Sequence, residues 1–198
     1  SSSARGPSYS HNSIKPDIGA PGASVSAEVG TGTGTTAFGG TSGAAPMVAG
    51  SVALLIQRYP KRTPPEIKSL LMNTAETNIQ TNPALLPGSL APITRIGGGE
   101  VRVNRAFAST TAAWDARDRT GSLSFGYHAL AEPQWYERAV VVRNYGKSWR
   151  TYSITPSFRY ADDQASGAVS VSAPASVQVP AGGSADVTVR MTINPALP

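Results

Sequence analysis

The chain has 198 residues, no cysteine and a net charge of +5. This length suits one large or two modest domains, and the lack of cysteine excludes a disulfide framework and a thiolate metal site within the chain. No apolar run is long enough to cross a bilayer. The basic residues are scattered, and a solvated sheet face explains their densest group better than a phosphate-binding patch does. That group comprises Arg138, Arg143, Lys147 and Arg150.

The first 40 residues are predicted to form loops, because Gly, Pro and Ser are frequent there. Asp17 lies in a Lys-Pro-Asp turn, and its carboxylate is expected to cap backbone N–H groups and not to act as a catalytic acid. His11 lies in the polar stretch 10–13 and is expected to be a surface histidine.

Residues 39–50 read GGTSGAAPMVAG, a Gly-rich turn that opens an apolar helix. Ser42 is predicted to lie in the first helical turn. There, unpaired N–H groups and the positive end of the helix dipole favour an anion, such as the oxyanion of an attacked carbonyl. Pro46 is also predicted in the first turn, where proline is tolerated. A serine in this setting is more commonly an N-cap, so the motif alone leaves both interpretations open.

Two helices are predicted next. The first spans about 42–58 and is apolar nearly all round, which predicts burial. The second begins at Thr63, where Pro64 and Glu66 complete a capping box, and ends near Thr74. Residues 78–99 are rich in Pro, Gly and Asn and are predicted to form an irregular loop. A short strand is predicted at Val101 and Val103.

A polar linker is predicted over 110–120, after which the hydrophobic period becomes two. Six or seven short strands favour an antiparallel β-sandwich. His128 falls in this region and is expected to be a surface histidine. The predicted strand positions are Leu123, Phe125 and Tyr127; 139–142; Tyr152, Ile154, Phe158 and Tyr160; Val169 and Val171; Val177 and Val179; and alternate positions over 185–193.

Three ordered motifs give residues 1 to about 108 a resemblance to the subtilisin-like serine proteases. The stretch GTSGAAPMVAG resembles the nucleophile motif GTS-x-A-x-P-x-V-A-G of that family, although Met47 stands where members often carry His. Upstream, ARGPS at 4–8 and IKPDIGAPG at 14–22 resemble the run that precedes the nucleophile. Downstream, LLMNTA at 70–75 and GGGEV at 97–101 resemble the L-x-x-T-A and G-x-G-x-V segments.

The resemblance implies that Ser42 is a catalytic nucleophile and that its own N–H is one oxyanion donor. The Asp, the His and a second donor, an Asn side chain, are contributed by family motifs that this sequence does not contain. The chain is therefore expected to be the C-terminal part of a larger secreted or cell-envelope endopeptidase, inactive alone and in need of the rest of the protease. Its substrates would be proteins or peptides, with no cofactor, metal, nucleic acid or membrane span.

The predicted fold class is α/β, the C-terminal part of a subtilisin-like parallel-sheet domain over 1–110, followed by an all-β antiparallel sandwich over 111–198. The second part is similar to the fibronectin-type-III-like domains of cell-envelope subtilases. Residues 1–108 are expected to expose apolar surface unless another chain covers it. The alternative function is a non-catalytic binding or structural module, in which Ser42 is idle and the sandwich is adhesive.

Overall fold

The computed structural model of the chain describes residues 3–9, 13–81 and 88–196. Helices predominate in the first half of these ranges and strands in the second. The helices are α1 (Thr41–Arg58), α2 (Pro64–Asn73), α3 (Ile93–Ile96), α4 (Val103–Ala108) and α5 (Ala161–Ser166). The strands are β1 (Ser24–Ala27), β2 (Thr35–Phe38), β3 (Thr111–Asp115), β4 (Gln134–Asn144), β5 (Arg150–Ser153), β6 (Val169–Ser172), β7 (Ser176–Val179) and β8 (Ser184–Ile193).

Helix α2 confirms the start signal found in the sequence. The Glu66 carboxylate accepts hydrogen bonds from the backbone N–H of Thr63 at 2.7 Å and from its hydroxyl at 2.8 Å. This capping box satisfies polar groups that a helix end leaves unpaired. The helix then buries one apolar face in a core built from α1, α2, α4 and β3. The core residues are Leu55, Ile67, Leu70, Leu71, Ala106 and Ala112.

Helix α1 differs from the prediction in two respects. It begins at Thr41, so Pro46 lies in the second turn and cannot donate to the carbonyl of Ser42. It is also not buried: Leu55 is fully covered, whereas Leu54 and Ile56 on either side are 50% and 51% exposed. The helix is apolar nearly all round, but the described residues pack against only one of its faces.

The strands after residue 110 pair antiparallel in two sheets, of order β3-β4-β8-β6 and β5-β7. The longest ladder joins β4 to β8 and places Val140 opposite Val187. Alternation along these strands turns one set of side chains inward, which confirms the period of two read from 185–193. Val142, Val179 and Val187 form a buried cluster to which both sheets contribute.

Five predicted segments differ from the structure. Residues 111–115 of the predicted linker form β3, which pairs with β4 along its whole length. Val103 begins a helix instead of completing a strand, and 123–127 forms no strand. Beyond β5, the predicted strand positions Phe158 and Tyr160 precede helix α5. The predicted loop 78–99 contains the short helix α3, and its residues 82–87 lie outside the described ranges.

A parallel sheet is likewise not formed in the described part of the chain. The named strands there all pair antiparallel, and parallel pairing is limited to an isolated bridge between Gly19 and Glu100. The secondary structure of the described ranges therefore consists of helices and antiparallel strands. In the same ranges, no helix combines the length and the apolar character needed to cross a membrane.

The helical and strand-rich parts contact each other closely. Strand β3 lies against α2, and the Ala113 N–H donates to the Asn73 side-chain oxygen at 2.7 Å. Trp114 and Tyr145 pack against the helical core. The Arg62 guanidinium lies between two aromatic rings, 3.6 Å from the centroid of Tyr59 and 3.8 Å from that of Tyr145. Cation–π contacts of this kind help to fix the two parts to each other.

Candidate active site

A hairpin and a glycine turn place Ser42 at the start of α1. Strands β1 and β2 pair from Ser24 opposite Phe38 to Ala27 opposite Thr35. The chain then reverses at Gly40, whose φ of 85° lies in the region that side chains other than glycine's rarely adopt. Helix α1 begins immediately afterwards, and Ser42 is its second residue.

Close backbone packing also fixes this turn. A Cβ atom on Gly22 would lie 2.5 Å from the carbonyl oxygen of Gly40, and one on Gly43 would lie 2.7 Å from that of Gly22. Neither distance is sterically possible, so the loop before β1 can approach the start of the helix only because these residues are glycines. The sequence predicted the Gly-rich turn that opens the stretch 39–50, but it did not predict that Gly22 and Gly43 would be needed for close packing.

Ser42 is exposed, and within the described ranges its hydroxyl has no hydrogen-bond partner. The N–H groups of Gly43 and Ala44 both donate to the Gly40 carbonyl, at 3.1 and 3.3 Å. The N–H of Ser42 precedes them and has no acceptor in these ranges, as expected for the first turn of a helix. The N-cap residue is Gly40, so Ser42 does not have the capping role that the motif alone left open. Its hydroxyl and N–H are both available to a ligand.

A cavity of about 550 Å³ adjoins this helix start. Gly40, Thr41 and Ala44 line it on the helix side. Ile79 and Ala91, from the two arms of the loop after α2, also line it. No sequence pattern predicted this wall, because it is formed by loop residues far from Ser42 in the chain.

Asp17 is engaged in ion pairs and not in the predicted backbone cap. Its Oδ2 atom lies 2.7 Å from the Lys15 ammonium and 2.9 Å from that of Lys68. Partial burial opposes ionisation, but the hydrogen bonds and charges of the two lysines together hold the pKa of this carboxyl below its ordinary value. Asp17 thus joins the N-terminal loop to α2 through ion pairs with Lys15 and Lys68.

His128, the histidine that the structure describes, bonds within its own loop and not to Ser42. His128 is half-buried: its Nε2 atom lies 2.6 Å from the Phe125 carbonyl oxygen, and its ring stacks on Tyr136 with centroids 3.9 Å apart. It therefore belongs to the packing of β4 and is less exposed than predicted. His11 lies outside the described residues. Among the residues that the structure describes, no three His, Asp or Glu side chains group in a way that could hold a metal ion.

Comparison with known proteins places these features in a family. The sequence profile of the peptidase S8 subtilase family matches residues 1–115. The chain is 28% identical over 198 residues to the minor extracellular protease Vpr of Bacillus subtilis, covering 97% of this chain and 23% of that protein. Two subtilisin-like proteases of Arabidopsis thaliana are also similar. SBT3.16 is 46% identical over 83 residues, which are 41% of this chain and 10% of that protein. SBT3.11 is 39% identical over 117 residues, 52% of this chain and 15% of that protein.

The chain thus spans less than a quarter of the length of these relatives. The family match covers more than half of the chain and includes the loop before β1, the glycine turn, α1 and α2. On this basis the chain belongs to the subtilase family, peptidase S8.

Proposed function

We propose that this chain supplies the nucleophile of a serine endopeptidase and that Ser42 is that nucleophile. The observation that carries the proposal is the position of Ser42. It is the second residue of α1, exposed, and its hydroxyl and N–H are both free of partners in the described ranges. Family membership and the named proteases among its relatives support the same reaction class.

The reaction begins when the Ser42 oxygen attacks the carbonyl carbon of a peptide bond. A base takes the hydroxyl proton and returns it to the leaving amine as the C–N bond breaks. Water then hydrolyses the resulting acyl ester, which restores the hydroxyl and releases the acid. The Ser42 N–H, at the positive end of α1, donates to the oxyanion in each tetrahedral intermediate.

The base is proposed to come from outside this chain. A serine hydroxyl is a weak nucleophile at neutral pH without a neighbouring base. The one described histidine, His128, is held at the Phe125 carbonyl. The resemblance to the family assigns this role to a His oriented by an Asp, and a second oxyanion donor to an Asn. We propose that all three belong to the rest of the protease and that the chain is inactive without it.

The same rest of the protease is proposed to cover α1. The apolar side chains of Met47, Leu54 and Ile56 are exposed on this helix. Burying them would remove apolar surface from water. The full protease is further proposed to be secreted or held at the cell envelope; the Bacillus relative is by its name an extracellular protease, which supports secretion.

The two parts of the chain are proposed to have separate roles. Residues 1–110 form the C-terminal segment of the catalytic domain, and 111–198 form a fibronectin-type-III-like β-sandwich. The antiparallel pairing of β3-β4-β8-β6 and β5-β7, with valines buried between the sheets, supports the second assignment. The proposed substrates are proteins or peptides.

A fluorophosphonate probe tests the catalytic assignment, because it reacts only with an activated serine. We expect labelling of the full-length protease at Ser42, no labelling after Ser42→Ala, and none in the 198-residue chain alone. Ser51→Ala is the matched control, since Ser51 lies on the same helix but donates to the Met47 carbonyl at 2.8 Å. Full labelling of Ser42→Ala would refute the assignment. Absence of labelling in the wild-type full-length protein would favour the non-catalytic alternative.

A further inference from the structure

Arg159 joins the strand-rich part to the loop after α2 by three hydrogen bonds. Its Nε donates to the Ala91 carbonyl at 2.7 Å, its Nη1 to that of Thr77 at 2.8 Å and its Nη2 to that of Ile79 at 3.2 Å. All three nitrogens of one guanidinium are therefore used on main-chain carbonyls. The planar fork of arginine can satisfy such a fixed arrangement, whereas the single ammonium of lysine cannot.

These carbonyls belong to two arms of one loop, residues 77–81 and 88–91. The arms also bond to each other. The Ala91 N–H donates to the Ile79 carbonyl at 2.7 Å, and the Thr81 N–H donates to that of Ser89 at 2.9 Å. Arg159 donates to both arms, and the neighbouring Tyr160 hydroxyl donates to the Leu90 carbonyl at 3.3 Å. The guanidinium thus fixes the separation of the arms.

The same arms also contribute to the cavity beside the candidate active site. Ile79 and Ala91 line this cavity together with Gly40 and Thr41 from the start of α1. Most of the other lining side chains are also small or apolar, including Ile18 and Val48. Ser42 itself does not line this cavity, but Gly40, Thr41 and Ala44 on either side of it in the chain do. Movement of the arms would therefore change the width of a space that adjoins the turn carrying Ser42. An apolar substrate group that enters this space would be sensitive to that width.

We propose that Arg159 is a positioning residue for the substrate: by holding both loop arms, it sets the cavity that receives an apolar group of the peptide beside Ser42. This rests on the proposed function, because it requires Ser42 to act on a peptide. In this proposal the strand-rich part takes a role in substrate binding, although that part contributes no group to the reaction.

The loop itself is tested first, by amide hydrogen exchange in the full-length protease, a measurement that does not depend on catalysis. In Arg159→Ala, exchange at Ile79, Thr81 and Ala91 is expected to rise at least about tenfold, because local opening no longer has to break three charge-assisted bonds. Arg159→Lys should give an intermediate rise. Arg190→Ala is the matched control, since Arg190 also lies in the strand-rich part but pairs with Glu137 on β4. Unchanged exchange in Arg159→Ala would overturn the proposal.

Kinetics of the same variants test the link to substrate. For a peptide substrate, Arg159→Ala is expected to raise KM about tenfold with kcat within about twofold, since binding is lost without loss of the chemical groups. Labelling by a small fluorophosphonate should keep its wild-type rate, because that probe does not fill the cavity. Increased exchange with an unchanged KM would overturn the substrate role. If the wild-type protease is not labelled at all, the proposed function fails, and the exchange data still decide whether Arg159 holds the loop.

Discussion

The Tyr145 hydroxyl donates a 2.6 Å hydrogen bond to the Glu66 carboxylate and so joins the residue after β4 to the first turn of α2. The other oxygen of that carboxylate accepts the two bonds from Thr63. One side chain therefore both caps a helix and connects the two parts of the chain. Hydrogen bonds to a charged group are among the stronger ones in proteins.

Tyr145→Phe is expected to lower the free energy of unfolding by about 1–2 kcal/mol, because it removes one hydrogen bond to a charged, half-buried acceptor. The ring stays in place and keeps its contact with Arg62, so packing is preserved. Urea unfolding of the chain measures the change. Tyr127→Phe is the control, since Tyr127 is 78% exposed, and it should cost nothing measurable. An equal loss in both variants would contradict the role of the bond.

Stability is also expected to fall with acid in a way that depends on Glu66. Partial burial opposes ionisation of this group. However, the hydrogen bonds from Tyr145 and Thr63 outweigh it and hold the pKa below the ordinary value of 4.5. A carboxyl whose pKa is lower in the folded state than in the unfolded state stabilises the protein at pH values above its unfolded-state pKa. This stabilisation is lost as the pH falls through the folded-state pKa. Unfolding free energies should therefore decline below about pH 4.5.

Glu66→Gln isolates this contribution. The amide cannot ionise, so the decline in unfolding free energy from about pH 6 to about pH 3 should be shallower than in the wild type, although not flat, because the paired Asp17 titrates in the same direction. Urea unfolding at a series of pH values makes the comparison. Glu28→Gln, in an exposed position after β1, should leave the wild-type slope intact. A wild-type slope in Glu66→Gln would refute the assignment.

The features that the sequence predicted well are set by neighbours in the chain. The capping box needs only Thr63 and Glu66 three residues apart, and β8 needs only alternation. The features it did not predict depend on distant partners. Strand β3 has the sequence of a polar linker and becomes a strand by pairing with β4. Residues 123–127 alternate like a strand but do not join the sheet, and the Ser124 carbonyl among them accepts a hydrogen bond from Arg138.

The candidate site divides in the same way. Ser42 and the glycine turn were found because their spacing is local and the family motif is specific. The contribution of Ile79 and Ala91 to the cavity was not found, since both lie in a loop far from Ser42 in the chain and bond to Arg159, which is more distant still. The burial of α1 was wrongly predicted. A helix that is apolar nearly all round has a large surface to be covered, but its sequence does not show which segment covers that surface.

Neighbouring leucines on α1 should respond very differently to truncation. Leu55 is fully buried in the core with Leu70 and Leu71, so Leu55→Ala is expected to cost about 2–5 kcal/mol of unfolding free energy. Leu54 is half exposed, and Leu54→Ala should cost less than about 1 kcal/mol in this chain. Urea denaturation of both variants gives the difference. Similar losses would mean that the two faces of α1 are equally packed, contrary to the structure.

Residues 111–198 should fold when produced without 1–110, but with lower stability than they have in the whole chain. The buried cluster of Val142, Val179 and Val187 lies entirely within this part and needs no helix. Separation would, however, expose Ala112 and Trp114, which pack on the helical core, and would leave the Tyr145 hydroxyl without Glu66. Exposing this apolar surface lowers stability and favours association.

Thermal unfolding of residues 111–198, followed by circular dichroism, should show one cooperative transition at a lower temperature than the transition of the whole chain. Trp114→Ser should raise solubility of the isolated part. A piece with no cooperative transition would show that the strand-rich part depends on α2, and that the boundary at 110 does not separate two folding units.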